Sequence, residues 1–413
     1  MPALALIPDR LIDPAKGRVR KRRAVIVEDG LIRAVVAAGS VSPELPTVDL
    51  TGHTLLPGLI DAHSHLVGEV DTGRGYGHLV NRSGAEEVLS GVHNAREMLM
   101  AGFTTVRDVG TFRAFADVAL RRAIDSGWVP GPRMMCAGAY LTCPGGGGDL
   151  TGLAVDSDES VPRELRFGVV SGADQMRSTA RQILGRGADV LKVIATGAVQ
   201  TPGTQPGTPE FTEAEIRAAV EVAEEWGTHV AAHAHGAEGI KRAVRAGARS
   251  IEHGSLIDDD AIDLMSEAGT YLVADLYDGE WIAEQGPKMG YLPESLAKNE
   301  MTAAAQRRGF EKAVAAGVRI AFGADSGMFP HRYAGRQFAY YVKHGLTPMQ
   351  AIKSATVWAA ELMGWESRVG GIGRGMAADL IAVAGNPTDD IALLEDVAWV
   401  MKGGEVVKPL VVA

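Results

Sequence analysis

The sequence predicts an α/β protein, a (β/α)8 TIM barrel with a small β-sandwich domain formed by both termini. Three observations carry this. Between residues 58 and 364, short apolar runs alternate with helical patterns eight times, the order expected of parallel strands joined by crossover helices. Both ends of the chain are instead rich in β-branched residues and hairpin turns. Polar residues recur where the apolar runs end, which is where such a barrel keeps its working groups. The expected division is a sandwich part at 1–57, the barrel at 58–364 and a second sandwich part at 365–413.

At the N-terminal end, RRAVIVEDGLIRAVV (22–36) places two β-rich runs around Asp29-Gly30, a strong hairpin signal, and TVDLTGHTLLPGL continues in that style. The alternation then begins. LIDAHSH precedes a helix at 84–100, and TTVRDV one at 113–126. MMCAGAYL precedes the loop PGGGGD (144–149) and a helix at 171–186. DVLKVIA precedes a helix opened by Thr212 with Glu215 three residues on, a capping box. HVAAHAH precedes 237–246, SIEHG precedes 258–268, and TYLVADL precedes a long helix within 293–316. RIAFGAD precedes 334–344. The total suits a barrel of about 250 residues with insertions. At the C-terminal end, ADLIAVAG and VAWVMKGGEVV form another β-rich pair, with Gly403-Gly404 at the turn.

The net charge of −10 argues against a nucleic-acid partner, which calls for a basic face. The 2 cysteines, Cys136 and Cys143, are too few and too close for a disulfide framework, so a reduced, cytoplasmic setting is expected. The opening MPALALIPDRLIDPAKG lacks a basic segment followed by an apolar one, so no signal peptide is expected. No run reaches membrane-spanning length, so no membrane partner is expected either.

The chemistry lies at the strand ends. Residues i and i+2 of a strand face the same side, so His63 and His65 project together and can chelate one metal ion. His233 and His235 repeat the pattern after the fifth run, His253 follows the sixth and Asp325 the eighth, while Lys192 sits in the fourth. Converging on one barrel mouth unpaired, such a set would be costly to bury. A metal centre satisfies it. Lys192 fits in either of two ways: as an ammonium paired with an acid, or as a carbamate formed with carbon dioxide, whose two oxygens can bridge two metals.

These residues resemble the amidohydrolase superfamily, over nearly the whole chain. The match takes in the His-x-His pair, the strand-four lysine, the histidines after strands five and six, the strand-eight aspartate and the tail RGMAADLIAVAGNP. LKVIATGAV, VAAHAHG, IEHGSLID, GADSG and PGGGGD are most similar to the imidazolonepropionase-related branch, which includes Xaa-Pro dipeptidases (prolidases), C-terminal dipeptidases and ochratoxin-type amidases. The resemblance implies two zinc ions per chain, one held by His63, His65 and Asp325 and the other by His233 and His253. A carboxylated Lys192 and a hydroxide would bridge them. It implies that Asp325 moves protons and that His235 polarises the substrate carbonyl. The implied substrate is a dipeptide or N-acyl amino acid whose terminal carboxylate stays free. Tyr277, His331 and Arg332 are the candidate clamp for that carboxylate, and Gly146 and Gly147 the candidate pocket wall. Relatives carry GGHGD where this chain has Gly147, so a histidine contact is missing here. Trp281 and Tyr291, in the insertion after strand seven, line either the pocket or a subunit contact. The branch also implies a homo-oligomer, often an octamer. Two other readings compete: a cyclic-amide hydrolase or deaminase of the imidazolonepropionase type, and a non-catalytic scaffold barrel. A mononuclear deaminase has no need of Lys192, and a complete ligand set speaks against a scaffold.

Overall fold

The computed structural model describes residues 2–68, 79, 81–151 and 161–410. The chain opens with strands β1 (Leu4–Asp13), β2 (Arg18–Lys21), β3 (Arg23–Glu28), β4 (Leu31–Ala37) and β5 (Thr47–Pro57). Asp29 and Gly30 turn β3 into β4 with φ of 50° and 77°. Positive φ at both central residues matches the twist of a hairpin, and Asp-Gly tolerates it.

The alternating region supplies β6 (Leu59–Ser64), β7 (Phe103–Asp108), β8 (Arg133–Cys136), β9 (Tyr140–Leu141), β10 (Leu191–Ile194), β11 (Val230–Gly236), β12 (Ser250–Leu256), β13 (Tyr271–Val273) and β14 (Arg319–Ile320). They pair in parallel in two sections, β6-β7-β8 and β9 through β14 in sequence order. Backbone bonds connect the sections at both ends. Asp189 N donates to Cys136 O at 2.7 Å. Across the other gap, Ala62 N donates to Phe322 O, Asp325 N to His63 O and His65 N to Ser326 O, each at 2.8 Å. The first and last runs therefore lie side by side, and their terminal residues share one neighbourhood.

Helices follow the runs at Gly84–Met100, Ala116–Asp125, Ala173–Gly185, Glu213–Glu225, Ala237–Ala246, Asp259–Ala268 and Pro293–Ala315. The Thr212–Glu215 capping box is present in both directions. The second helix starts later than the periodicity predicts, because Phe115 before it takes a left-handed φ of 70°. The predicted strand 134–141 is split: Gly138, at φ 75°, breaks it into β8 and β9. The predicted helix 334–344 opens as a 3-10 turn (His331–Arg336) before Gln337–Lys343. The insertion after β13 is itself helical over Asp278–Met289. Among the described residues, no helix is long and apolar enough to cross a membrane.

The chain ends with β15 (Leu380–Ala384), β16 (Trp399–Lys402) and β17 (Glu405–Lys408). β15 pairs with β5, so both termini share one eight-stranded sheet, β17-β16-β15-β5-β1-β3-β4 with β2 on β1. Its apolar side, with Leu6, Val25, Leu55 and Trp399, forms a core of its own. The larger core lies between the parallel strands and the helices. In β10, Leu191 and Val193 join that core while Lys192 between them lines a cavity, as a period of two requires.

Candidate active site

The cavity opens where the parallel strands end, and its wall contains His63, His65, Lys192, His233, His235, His253 and Asp325. Chain-remote strands bring their rings together. Ring centroids are 4.7 Å apart for His63 and His253, and 4.5 Å for His233 and His253. Strand alternation aims His63 and His65 alike: their Nε2 atoms lie 3.4 and 3.3 Å from the same Asp325 Oδ1.

His253 and Asp325 reach the cavity by a different route. In β12, Glu252 already points inward, where it meets Arg107 and His63. Regular alternation would turn its neighbour His253 away. His253 instead adopts a left-handed φ of 68°, and Asp325 one of 54°. This conformation is strained for residues with a Cβ, and such strain concentrates at functional sites.

The imidazoles have fixed tautomers. His63 Nδ1 faces Glu252 Oε2 at 2.8 Å, His65 Nδ1 faces Gly110 O at 2.7 Å, and His253 Nδ1 faces Asp275 Oδ2 at 2.8 Å. Each partner is an acceptor, so each Nδ1 carries the proton and each Nε2 offers a lone pair to the cavity. His233 is the reverse: its Nε2 faces Gly197 O at 3.4 Å, which frees Nδ1. His63 Nε2 and Asp325 Oδ1 are buried without a hydrogen-bond partner. Lone pairs converging on a carboxylate are a donor set for a cation. Ligand atoms gather within 4.8 Å in three groups: His63, His65 and Asp325; His233, His235 and His253; and His253, Asp275 and Asp325.

Electrostatics agree with this arrangement. Burial, and then the neighbouring His253, pushes His233 well below the usual imidazole range and His235 down to about 3, so both rings are neutral. Burial also lowers the Lys192 amine to about 8. Against the effect of burial, His63 and His65 hold Asp325 well below the usual carboxylate range. His235 differs in one respect. Its Nδ1 meets the Ser255 hydroxyl at 2.8 Å, and a hydroxyl can donate, which leaves Nε2–H free to act as a donor.

Not every sequence-predicted residue joins the cavity. Tyr277 packs its ring on Phe329, 5.0 Å between centroids, and its hydroxyl accepts from Arg336 at 2.9 Å. Arg332 points elsewhere and pairs with Glu97 at 3.0 Å. His331 sits behind the site, its Nε2 3.0 Å from His65 O. Of the glycine loop, Gly148 reaches the cavity wall. Gly146 and Gly147 lie behind it, with Gly147 N donating to Glu210 Oε2 at 2.8 Å. A Cβ on Gly147 would lie 3.0 Å from both Ile194 Cγ2 and Thr196 O, so a larger residue here requires its neighbours to give by a few tenths of an ångström. Trp281 packs on Phe329 and Tyr333, and the Tyr291 hydroxyl donates to Met328 O at 3.1 Å.

Sequence reasoning missed the supporting residues. Arg107, buried, donates to Glu252 Oε1 at 2.8 Å and to Ala62 O at 2.7 Å. Asp61 Oδ1 accepts from His63 N and Ala324 N, bracing the two strands that carry His63 and Asp325. Gln306 donates to Asp275 Oδ1 at 2.6 Å. The available signal was an acid or arginine inside an apolar strand run, as in LIDAH, TTVRD and SIEH.

Comparison with known proteins agrees with the fold. The Amidohydrolase family model matches residues 54–407. Ochratoxinase from Aspergillus niger is 31% identical over 421 aligned residues, covering 96% of this chain and 85% of that protein. The crystal structure of a Xaa-Pro dipeptidase with methionine in its active site superposes with a TM-score of 0.91 at 36% identity, covering 98% of this chain and 100% of that one. A prolidase complexed with N-methylphosphonate-L-proline gives a TM-score of 0.90 at 31% identity, covering 98% and 100%. The chain belongs to the amidohydrolase family. It is a hydrolase of amide bonds, with ochratoxinase and prolidases among its relatives.

Proposed function

We propose that this protein is a binuclear-metal amidohydrolase that releases the C-terminal amino acid from dipeptides or N-acyl amino acids. The carrying observation is the convergence of pinned imidazoles on one cavity, with the free nitrogens of His63 and His65 facing the buried Asp325 carboxylate. His63, His65 and Asp325 would hold one divalent ion, zinc by donor type, and His233 and His253 the second. Lys192 lies in the same wall, and its lowered pKa of about 8 raises the share of neutral amine that carbamate formation requires. The parallel strands are read as a closed (β/α)8 barrel spanning 58–364, and the shared terminal sheet as the small sandwich of 1–57 and 365–413.

Bound there, two divalent ions supply a hydroxide-like nucleophile near neutral pH and polarise the scissile carbonyl. The chain supplies the rest. Asp325 orients the attacking oxygen, accepts its proton and passes it to the leaving amine. His235, neutral and backed by Ser255, donates from Nε2 to the developing oxyanion. Phe112, Tyr140, Val199, Ile282 and Met328 give the wall an apolar face for the substrate. The names of the relatives support this substrate class: Xaa-Pro dipeptidase, prolidase and ochratoxinase. The reading also takes the protein as a cytoplasmic homo-oligomer.

The deciding test is amino-acid release from Xaa-Pro, Xaa-Phe, Xaa-Arg and N-acyl amino acids, with zinc and bicarbonate supplied. Release from one class is the expected result. No release from any, with two metals bound per chain, would overturn this reading in favour of cyclic amides or deamination.

A further inference from the structure

One group in the cavity wall is left over once the metal ligands and their supports are assigned. Asp278 opens the helix after β13 and lines the cavity beside Asp275 and Asp325. It is 9% exposed, and its Oδ1 is buried without a hydrogen-bond partner. Among the described residues, no side chain or backbone donor is hydrogen-bonded to this carboxylate, and no cation pairs with it. On the helix that follows, Arg307 pairs with Glu280, and Lys298 with Glu294 and Thr201 O. Burial, and then the Asp325 and Asp275 charges beside it, push this carboxyl well above the usual carboxylate range, so an ionised Asp278 calls for a cation next to it. Its position on the wall leaves the substrate as the source of a partner.

The charge of the wall points the same way. Among the described residues it contains no arginine, and its one lysine, Lys192, is assigned to the metal centre. Asp275 is engaged by His253 and Gln306, and Asp325 by His63 and His65. Asp325 Oδ1, also without a hydrogen-bond partner, faces the two imidazole nitrogens of the donor set, whereas Asp278 Oδ1 faces no such group among the described residues. We propose that Asp278 is a specificity-determining residue that binds the ammonium group on the acyl side of the substrate. The preferred substrates are then aminoacyl amides with a free amine, rather than N-acyl amino acids of similar shape. This rests on the amide-hydrolase reading above and narrows it. Bound at Asp278, the ammonium anchors one end of the acyl group and fixes the carbonyl relative to Asp325 and His235.

The test compares two near-isosteric pairs, Gly-Phe with propionyl-Phe and Gly-Pro with propionyl-Pro, which differ in an ammonium against a methyl. The metal-loaded enzyme is assayed for kcat/KM. It is also titrated calorimetrically with the non-cleavable ketomethylene isosteres of the same four compounds. We expect the ammonium member to be favoured at least 10-fold in either pair, and Asp278→Asn to bring that ratio close to 1 with the metal content kept. A 6-aminohexanoyl amide matching the glycyl one would move the ammonium from the α-amino position to a basic side chain, with Asp278 still its partner. No ammonium preference in either pair, or a preference that survives Asp278→Asn, overturns the proposal. Preferential binding of the ammonium isosteres without hydrolysis of the amides would uphold the ammonium site while overturning the hydrolytic reading.

Discussion

At the scale of the residue, Asp325 has the most demanding position. It ends the last strand run in a left-handed conformation and meets two imidazoles on one oxygen. Asp325→Asn keeps the shape and removes the proton acceptor. Turnover should fall by at least about 10²-fold, the lower end of what general acid–base groups contribute. Metal content by elemental analysis should stay largely intact, and near-normal kcat would sink the assignment. Glu252 acts one step back. It is fully buried between Arg107 and His63, and against the effect of burial the Arg107 guanidinium and His63 hold its carboxyl below the usual range. Glu252→Gln leaves Arg107 as an uncompensated buried charge, at a cost of about 3–5 kcal/mol in urea unfolding. It also loosens the His63 tautomer, which should weaken metal affinity about 10–100-fold.

At the scale of the element, the glycine loop is held in place by its neighbours. Gly147 N donates to Glu210, Gly148 N to Thr201 Oγ1 at 3.0 Å, and Asp149 binds Arg166 through both oxygens. Burial pushes Glu210 up to about 7. A raised carboxyl pKa means that the folded state binds more protons than the unfolded chain between about 4.5 and 7. Stability from this group is therefore fully present below the unfolded value and lost as pH rises towards 7. Glu210→Gln should flatten the fall in urea midpoint between pH 5 and pH 7.5. An unchanged slope would show that another group titrates there.

At the scale of the whole molecule, the terminal sheet is tied to the parallel strands through Asp379. Its carboxylate takes Arg133 Nε at 2.7 Å and Nη2 at 3.1 Å, and Gly403 N at 2.7 Å, while its carbonyl accepts from Gly58 N at 2.8 Å. Asp379→Ala strips the partly buried Arg133 of its partner. Unfolding should become about 3 kcal/mol easier, the low end for breaking a buried pair. A single transition separating into two would mark the sheet and the barrel unfolding independently, and an unchanged midpoint would show that the link carries no stability.

The sequence by itself determined the alternation of strands and helices, the hairpins at Asp29-Gly30 and Gly403-Gly404, the Thr212 capping box and the residues that converge at the cavity. These are set by local periodicity, turn chemistry and fixed strand ends, which a linear reading can see. Only the tertiary structure decided what required distant parts of the chain to meet. Left-handed backbone at His253 turned it into the cavity against strand alternation, and Asp325 took the same strained conformation beyond the last strand. Glu252, Arg107 and Asp275 fixed the imidazole tautomers from other strands. Arg332 was drawn off to Glu97 and Tyr277 to Arg336. Asp278 was left facing the cavity without a partner. Which charge neutralises which depends on distances across the fold, and sequence separations, such as the 235 residues between Glu97 and Arg332, do not encode them.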